Sequence, residues 1–298
     1  MSIGGGAAPP PQVLAAFGVT GVTATALPGG QGSSWLAPPL VLKPVGSDLE
    51  AEEVAWLAEA LPPLGGALAE EAGVRLPSDV PSDVPVDVPA DVRGPGGRWV
   101  VDGWRAMTWV AGEPGPAGCW TGVFAAARAF TAAVAHLPRP PFLDRRNNPW
   151  AVADRAAWGE EPLAVHPAQR VLVEQLRALA ACGSVVRAAQ LVHGDLTGNV
   201  LFSPGLPPAV IDVSPYWRPA AYAGAVVVAD GLLWWGQGAD LLAAAGESGD
   251  RDLVARALLF RLLTDVVLLR NAEDPVALPT VDAARYQRAA DVLEGSGS

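Results

Sequence analysis

Two carboxylates and a carboxamide, set along one short stretch, carry the chemistry legible in this chain. The run Leu191-Val-His-Gly-Asp-Leu-Thr-Gly-Asn-Val-Leu-Phe202 places Asp195 after an apolar strand and Asn199 four residues beyond it. A second apolar run, Val210-Ile-Asp-Val213, delivers Asp212. Carboxylate and amide oxygens are the hard ligands that magnesium takes. A fixed carboxylate is also what an acceptor hydroxyl needs in order to lose its proton. Together these are the parts of a magnesium-nucleotide phosphotransfer site. The plainer alternative is a strand-turn-strand whose Asp and Asn only shape the turn.

These residues need elements to hold them. Residues 1–20 are small and Pro-rich, with a short amphipathic piece at 12–17. A Gly-rich turn follows at Pro28-Gly-Gly-Gln-Gly-Ser-Ser34, then a short buried strand, Leu40-Val-Leu-Lys-Pro44. Asp48 is expected to cap a helix over 49–61, stopped by Pro62-Pro63. Strands at 98–101 and 105–110 are joined by a tight turn at Asp102-Gly103. Between helix and strands lies a Pro-x-Asp-Val repeat over 77–92, whose regular prolines block helix and central strand alike. It reads as an extended surface loop. After Gly112 the pattern turns helical, at 120–137, 166–182, 220–235, 250–270 and 280–294, with two short strands around 191–213. Residues 144–158 mix charges and tryptophans and declare no element.

In its order of motifs the chain resembles aminoglycoside phosphotransferase-like kinases of the protein-kinase-like superfamily, nearest to an uncharacterised actinobacterial group. The resemblance implies an α+β, bilobal fold. A small β-rich N-lobe would span 1–107, a hinge 108–112, and a larger helical C-lobe 113–298. It makes Asp195 the catalytic base, Asn199 and Asp212 the magnesium ligands, and His193 and Asp230 structural supports. The family usually has four residues between that Asp and Asn; here there are three, Leu196, Thr197 and Gly198, and Gly198 offers backbone freedom to compensate. Gly29, Gly30, Gly32 and Ser33 fall where the nucleotide-covering loop belongs. Lys43 matches the strand lysine that holds the nucleotide phosphates and pairs with a helix acid. Glu53 is the chosen partner, with Glu50, Glu52 and Glu59 left open by spacing. Thr108, Trp109 and Val110 would offer backbone amides to the adenine or guanine edge. Asp154, Arg155, Trp158, Tyr216, Trp217 and Arg218 are the candidates for acceptor contact. The implied reaction moves the γ-phosphate of ATP or GTP, with Mg2+, to a hydroxyl of a small molecule. The alternative is a nucleotide-binding pseudokinase or scaffold.

Composition narrows the partners. With 20 Lys and Arg against 31 Asp and Glu the net charge is −11, a surface that repels nucleic-acid phosphate. Half the residues are hydrophobic, enough for a sizeable core. Two cysteines and three scattered histidines (His136, His166, His193) form neither a disulfide framework nor a zinc site. The Gly-x-Ser-x-Gly hydrolase elbow is missing from the sequence. Met1-Ser-Ile-Gly-Gly-Gly lacks the basic and apolar regions of a signal peptide, and no run offers the roughly 20 uninterrupted apolar residues of a membrane span. The expectation is a cytoplasmic protein without membrane or nucleic-acid partners.

Overall fold

The computed structural model describes residues 7–28, 32–61, 89–183, 187–270 and 280–295. Gly29, Gly30 and most of the Pro-x-Asp-Val repeat lie outside them. The chain divides into two compact units. One gathers described residues up to 61 together with 89–114 and 201–211; the other holds 115–200 and everything from 212 on.

The first unit is built on a sheet. Helix α1 (Pro11–Ala16) begins with Pro at its first turn, where a missing N–H is harmless. Strands β1 (Thr25–Ala26) and β2 (Trp35–Ala37) pair antiparallel, with the described end of the Gly-rich segment, Gly32 to Ser34, leading into β2. Gly32 sits there at φ 69°, and Leu27 N–H donates to Ser34 O at 2.9 Å. Strand β3 (Leu40–Pro44) pairs antiparallel with β2, and helix α2 (Asp48–Ala60) follows. The cap of α2 is Ser47, one residue before the expected Asp48. Its hydroxyl accepts from Glu50 N–H, while the Glu50 carboxylate accepts from Gly46 N–H at 2.6 Å. This reciprocal arrangement outcompetes Asp48 because it satisfies two backbone donors at once.

Strands β4 (Asp91–Val92), β5 (Val100–Val101) and β6 (Trp104–Thr108) complete the sheet, in the order β1-β2-β3-β6-β4 with β5 also on β6. Asp102 (φ 48°) and Gly103 (φ 75°) make the β5–β6 turn, with the left-handed pair that a two-residue hairpin requires. Leu40 and Leu42 of β3 and Ala106 of β6 share one face and pack with Val13 and Leu14 of α1 and with Phe17, which caps it. Each Leu, Val or Phe side chain fully buried there stabilises by about 1.5–3 kcal/mol. Lys43 alternates to the opposite face, directly across from Arg105. A smaller sheet joins β7 (Glu113–Pro114) to β9 (Val200–Phe202), with β10 (Ala209–Val210) on its far side. A Cβ on Gly112 would stand 2.9 Å from Leu201 Cβ, so glycine permits that close approach.

The second unit is mostly helical: α3 (Trp120–Ala133), α4 (Pro149–Ala157), α5 (Arg170–Ala181), α6 (Tyr222–Trp234), α7 (Ala239–Ala244), α8 (Arg251–Arg270) and α9 (Thr280–Gly295). Helix α4 occupies the stretch that declared no element. Asn148 caps it by accepting from Ala151 N–H at 2.9 Å, and Pro149 opens it. Every residue of α6 from Tyr222 to Leu233 is buried, as an all-round apolar helix must be, and it packs against α3, α8 and α9. Among the described residues no helix is long and apolar enough to cross a membrane.

One two-stranded ribbon crosses this helical unit. Strand β8 (Ala189–His193) pairs antiparallel with β11 (Pro215–Pro219), His193 opposite Pro215 and Ala189 opposite Pro219. Two prolines hide β11 from a sequence reading. Both sit at its ends, where a missing N–H costs little.

Candidate phosphotransfer site

The ribbon is what positions the chemistry in the second unit. Gly194 N–H donates to Ser214 O at 2.9 Å, prolonging the β8–β11 pairing by one bond. Asp195 follows one end of that bond immediately, and Asp212 precedes the other by two residues. A Cβ on Gly194 would stand 2.3 Å from the Tyr216 ring, so only glycine lets the ring lie beneath the loop. Tyr216 is buried there, edge-on to Phe260 and under the Arg146 guanidinium, and burial raises its phenol above the ordinary value.

The loop itself is tightly specified. His193 is fully buried, edge-on to Phe130. Its Nδ1 accepts from Asp195 N–H at 3.0 Å, which places any ring proton of the neutral imidazole on Nε2. Leu196 plugs into the core. Gly198 takes φ 83°, the left-handed conformation that closes the three-residue spacing. The Asn199 amide then turns back, Nδ2 donating to Asp195 O at 2.7 Å and lying 3.4 Å from Asp195 Oδ2. Because the NH2 group is engaged with Asp195, the side-chain oxygen of Asn199 is its atom suited to a cation.

Asp212 is half-buried at φ 51°. A non-glycine residue in the left-handed region is strained, and such strain clusters at functional positions. Among the described residues no group of three or more His, Cys, Asp or Glu could by itself hold a metal ion. An amide and a carboxylate suit magnesium none the less, because that ion keeps waters and substrate phosphates as its other ligands.

Asp230, buried in α6, meets Arg261 of α8. Arg261 Nε donates to Asp230 Oδ1 and Nη2 to Oδ2, each at 2.8 Å. Nη2 also donates to Asp195 Oδ1 at 2.7 Å. Burial pushes the Asp230 carboxyl up, and the Arg261 charge pulls against it. Sequence reasoning passed over Arg261. The signal was present, since a cation in Leu258-Leu259-Phe260-Arg261-Leu262-Leu263 has to find a buried acid.

The six acceptor-contact candidates fall on or just beyond α4 and on β11. Arg218 donates through Nε and Nη2 to Asp154, 2.6 Å at the shortest, and also to Glu160. Arg155 bonds Glu161 at 2.7 Å and the Arg146 carbonyl at 2.8 Å. Trp158 lies between the Arg218 and Arg256 guanidiniums, 4.8 and 4.6 Å from its ring centre. Asp154, Arg155, Tyr216, Trp217 and Arg218 line a nook of about 50 Å³.

In the first unit, Lys43 and Glu53 are both half-buried. Glu50 is engaged in the α2 cap and Glu59 is exposed. Ser33 follows Gly32 in the β1–β2 hairpin. Thr108 N–H donates to Ala90 O and Trp109 N–H to Pro39 O, so two of the three amides expected to meet a base are engaged within the sheet.

No protein-family model matches the sequence, and no curated protein matches it. Solved structures do. An aminoglycoside phosphotransferase from Alicyclobacillus acidocaldarius aligns over 98% of this chain and 95% of its own, at 14% identity and a TM-score of 0.57. A choline kinase from Streptococcus pneumoniae aligns over 92% and 94%, at 15% identity and 0.54. An amicoumacin kinase in complex with AMP-PNP and Ca2+ covers 92% and 88%, at 14% identity and 0.54. This chain has the protein-kinase-like fold. The β-rich first unit and helical second unit are the α+β arrangement expected from sequence.

Proposed function

We propose that the protein is a small-molecule kinase that transfers the γ-phosphate of ATP or GTP to a substrate hydroxyl. The observation that carries this reading is the β8–β11 ribbon, which brackets Asp195, Asn199 and Asp212 with a single hydrogen-bonded pair of strands. The similar structures include small-molecule kinases, which favours the same reaction class.

Asp195 is the proposed catalytic base. Its carboxylate takes the acceptor's proton as the hydroxyl oxygen bonds to the γ-phosphorus and the bond to the bridging oxygen breaks, leaving the nucleoside diphosphate. Asn199 and Asp212 would hold Mg2+, which when bound neutralises charge on the phosphates. His193 and Asp230 keep the loop in place. For the first unit, Lys43 with Glu53 is proposed for the phosphates, Gly29, Gly30, Gly32 and Ser33 for the covering turn, and Val110 for the base-contacting amide in place of Thr108 and Trp109. On the acceptor side, Trp217 is favoured over Asp154 and Arg218, whose charged atoms already meet each other.

The rival reading is a nucleotide-binding scaffold. It draws on Arg261, which occupies one oxygen of Asp195. A thermal-shift titration with ATP and GTP, with and without magnesium, separates the two when joined to an assay for diphosphate formation. Nucleotide at a hundred times its Kd stabilises by about 2.7 kcal/mol, on the order of 5 °C in Tm for a chain of this size. A magnesium-dependent rise that Asp212→Asn abolishes, with turnover, supports the kinase. A rise without turnover supports the scaffold, and no rise with either nucleotide sinks both.

A further inference from the structure

Arg261 makes one bond more than its burial requires. It lies in the middle of α8, in the core, with Phe260 and Trp234 rings 5.1 and 5.8 Å from its guanidinium carbon. Asp230 alone supplies one negative charge and two hydrogen bonds, which suffices to neutralise a buried guanidinium. Yet Nη2 reaches further, to Asp195 Oδ1 at 2.7 Å. That carboxylate belongs to a loop, and its side chain is 44% exposed, so it is under no pressure to be neutralised.

We propose that Arg261 is a positioning residue for Asp195, one that locks the carboxylate rotamer and presents Oδ2 to the acceptor. The proposal rests on the kinase reading above. Three features of the loop make such a lock useful. The spacing from Asp195 to Asn199 is one residue shorter than in the family it resembles. Gly198, directly before Asn199, has the freest of backbones. Asn199 Nδ2 holds the Asp195 carbonyl at 2.7 Å but stands 3.4 Å from the carboxylate, a weak restraint on the side chain. Arg261 supplies the strong one. It does so from the rigid floor of the helical unit, because its Nε–Nη2 edge is already fixed on Asp230. The fork is what matters. A lysine has the charge, but its single ammonium lacks the planar pair of donors that spans Asp230 while reaching Asp195.

The test compares wild type, Arg261→Lys, and the double variant Arg261→Met with Asp230→Leu. Removing Arg261 alone would leave Asp230 buried and unpaired, whereas replacing both partners by apolar residues of similar size keeps a core intact. Each protein is assayed for diphosphate formation from MgATP and MgGTP with water as acceptor, and for the thermal shift each nucleotide produces. The expected result is a kcat lowered about 10- to 100-fold in the double variant, as displacement of a reacting group by about an ångström brings. The KM and thermal shift for the nucleotide should stay within about twofold, and Arg261→Lys should recover only part of kcat. A folded double variant or a folded Arg261→Lys with wild-type kcat overturns the positioning role and leaves the kinase reading standing. Loss of nucleotide binding in parallel with kcat makes Arg261 a structural residue and also overturns it. A wild type that forms no diphosphate from either nucleotide overturns the kinase reading, and the positioning role falls with it.

Discussion

Arg218 and Arg261, both in the second unit, are each clamped between two acids, and they differ in what the outer acid is attached to. Arg218 joins Asp154 and Glu160; Arg261 joins Asp230 and Asp195. The inner acid is buried in both, with side-chain exposures of 8% for Asp154 and 3% for Asp230. The outer acid is open in both, 48% for Glu160 and 44% for Asp195. Burial and ion pairing therefore do not separate the proposed site from a purely structural clamp. The loop does. Glu160 lies just beyond α4, beside a nook of about 50 Å³, where Arg218 ties that helix to β11. Asp195 follows a strand end, near an amide whose NH2 group is turned to it, and is bracketed with an aspartate in the left-handed region. The same clamp braces a helix against a strand in one place and, in the proposed reading, aims a carboxylate in the other.

The largest expected break between the two clamps is in turnover. Asp195→Ala should lower kcat by at least about a hundredfold, in line with general-base contributions. Glu160→Ala should leave it within about twofold. The comparison is read from diphosphate formation in the two variants, and equal losses would show that the outer acids do not differ as argued.

Stability should reverse that order. Asp154→Ala leaves Arg218 with its inner acid gone, and removing one partner of a buried pair costs about 3–5 kcal/mol. Asp195→Ala removes a half-exposed partner from an Arg261 that still holds Asp230, and should cost about 1 kcal/mol or less. Urea unfolding of the two variants measures this directly. An Asp154→Ala midpoint equal to that of Asp195→Ala would mean that Arg218 finds compensation the geometry does not display.

How far these distinctions were legible in the sequence follows from the range of the interactions. The strand-loop-strand around Asp195 and the hairpin at Asp102-Gly103 are local, and local patterns displayed them. Gly198 was legible as a point of backbone freedom in the shortened spacing, and it takes a positive φ. Helix α4 was missed because its buried face is made of alanines with Asp154 among them, a weak apolar signal, although Asn148-Pro149 is a helix-opening signal. Strand β11 was missed because two prolines disguise it. The clamps were out of reach for a different reason. Arg218 stands 64 residues from Asp154 and Arg261 stands 66 from Asp195, so only the packing of α4, α6 and α8 against the ribbon decides which acid meets which arginine. A charge in an apolar run announces that a partner exists, not which one.

The smallest expected difference concerns acid, and it sharpens the Arg218 side of the comparison. Hydrogen bonds from Arg218, with part-burial opposing them, hold the Glu160 carboxyl below its ordinary range. A carboxyl depressed in the folded state adds stability above its unfolded pKa, near 4.3 for glutamate, and that stability is lost as pH falls through the folded value. Burial drives Asp154 the other way, upward, against the same guanidinium. Protonating Asp154 therefore relieves burial, while protonating Glu160 removes an ionic bond. Glu160→Gln should accordingly weaken the fall in unfolding free energy on acidification below about pH 4.3, with a change at neutral pH of no more than about 1 kcal/mol for so exposed a pair. Urea midpoints between about pH 3 and 7 for wild type and Glu160→Gln measure the effect. Parallel pH profiles would show that Arg218 is held by Asp154 alone, and its outer acid would then be an ornament where Asp195, on the other clamp, is the proposed working arm.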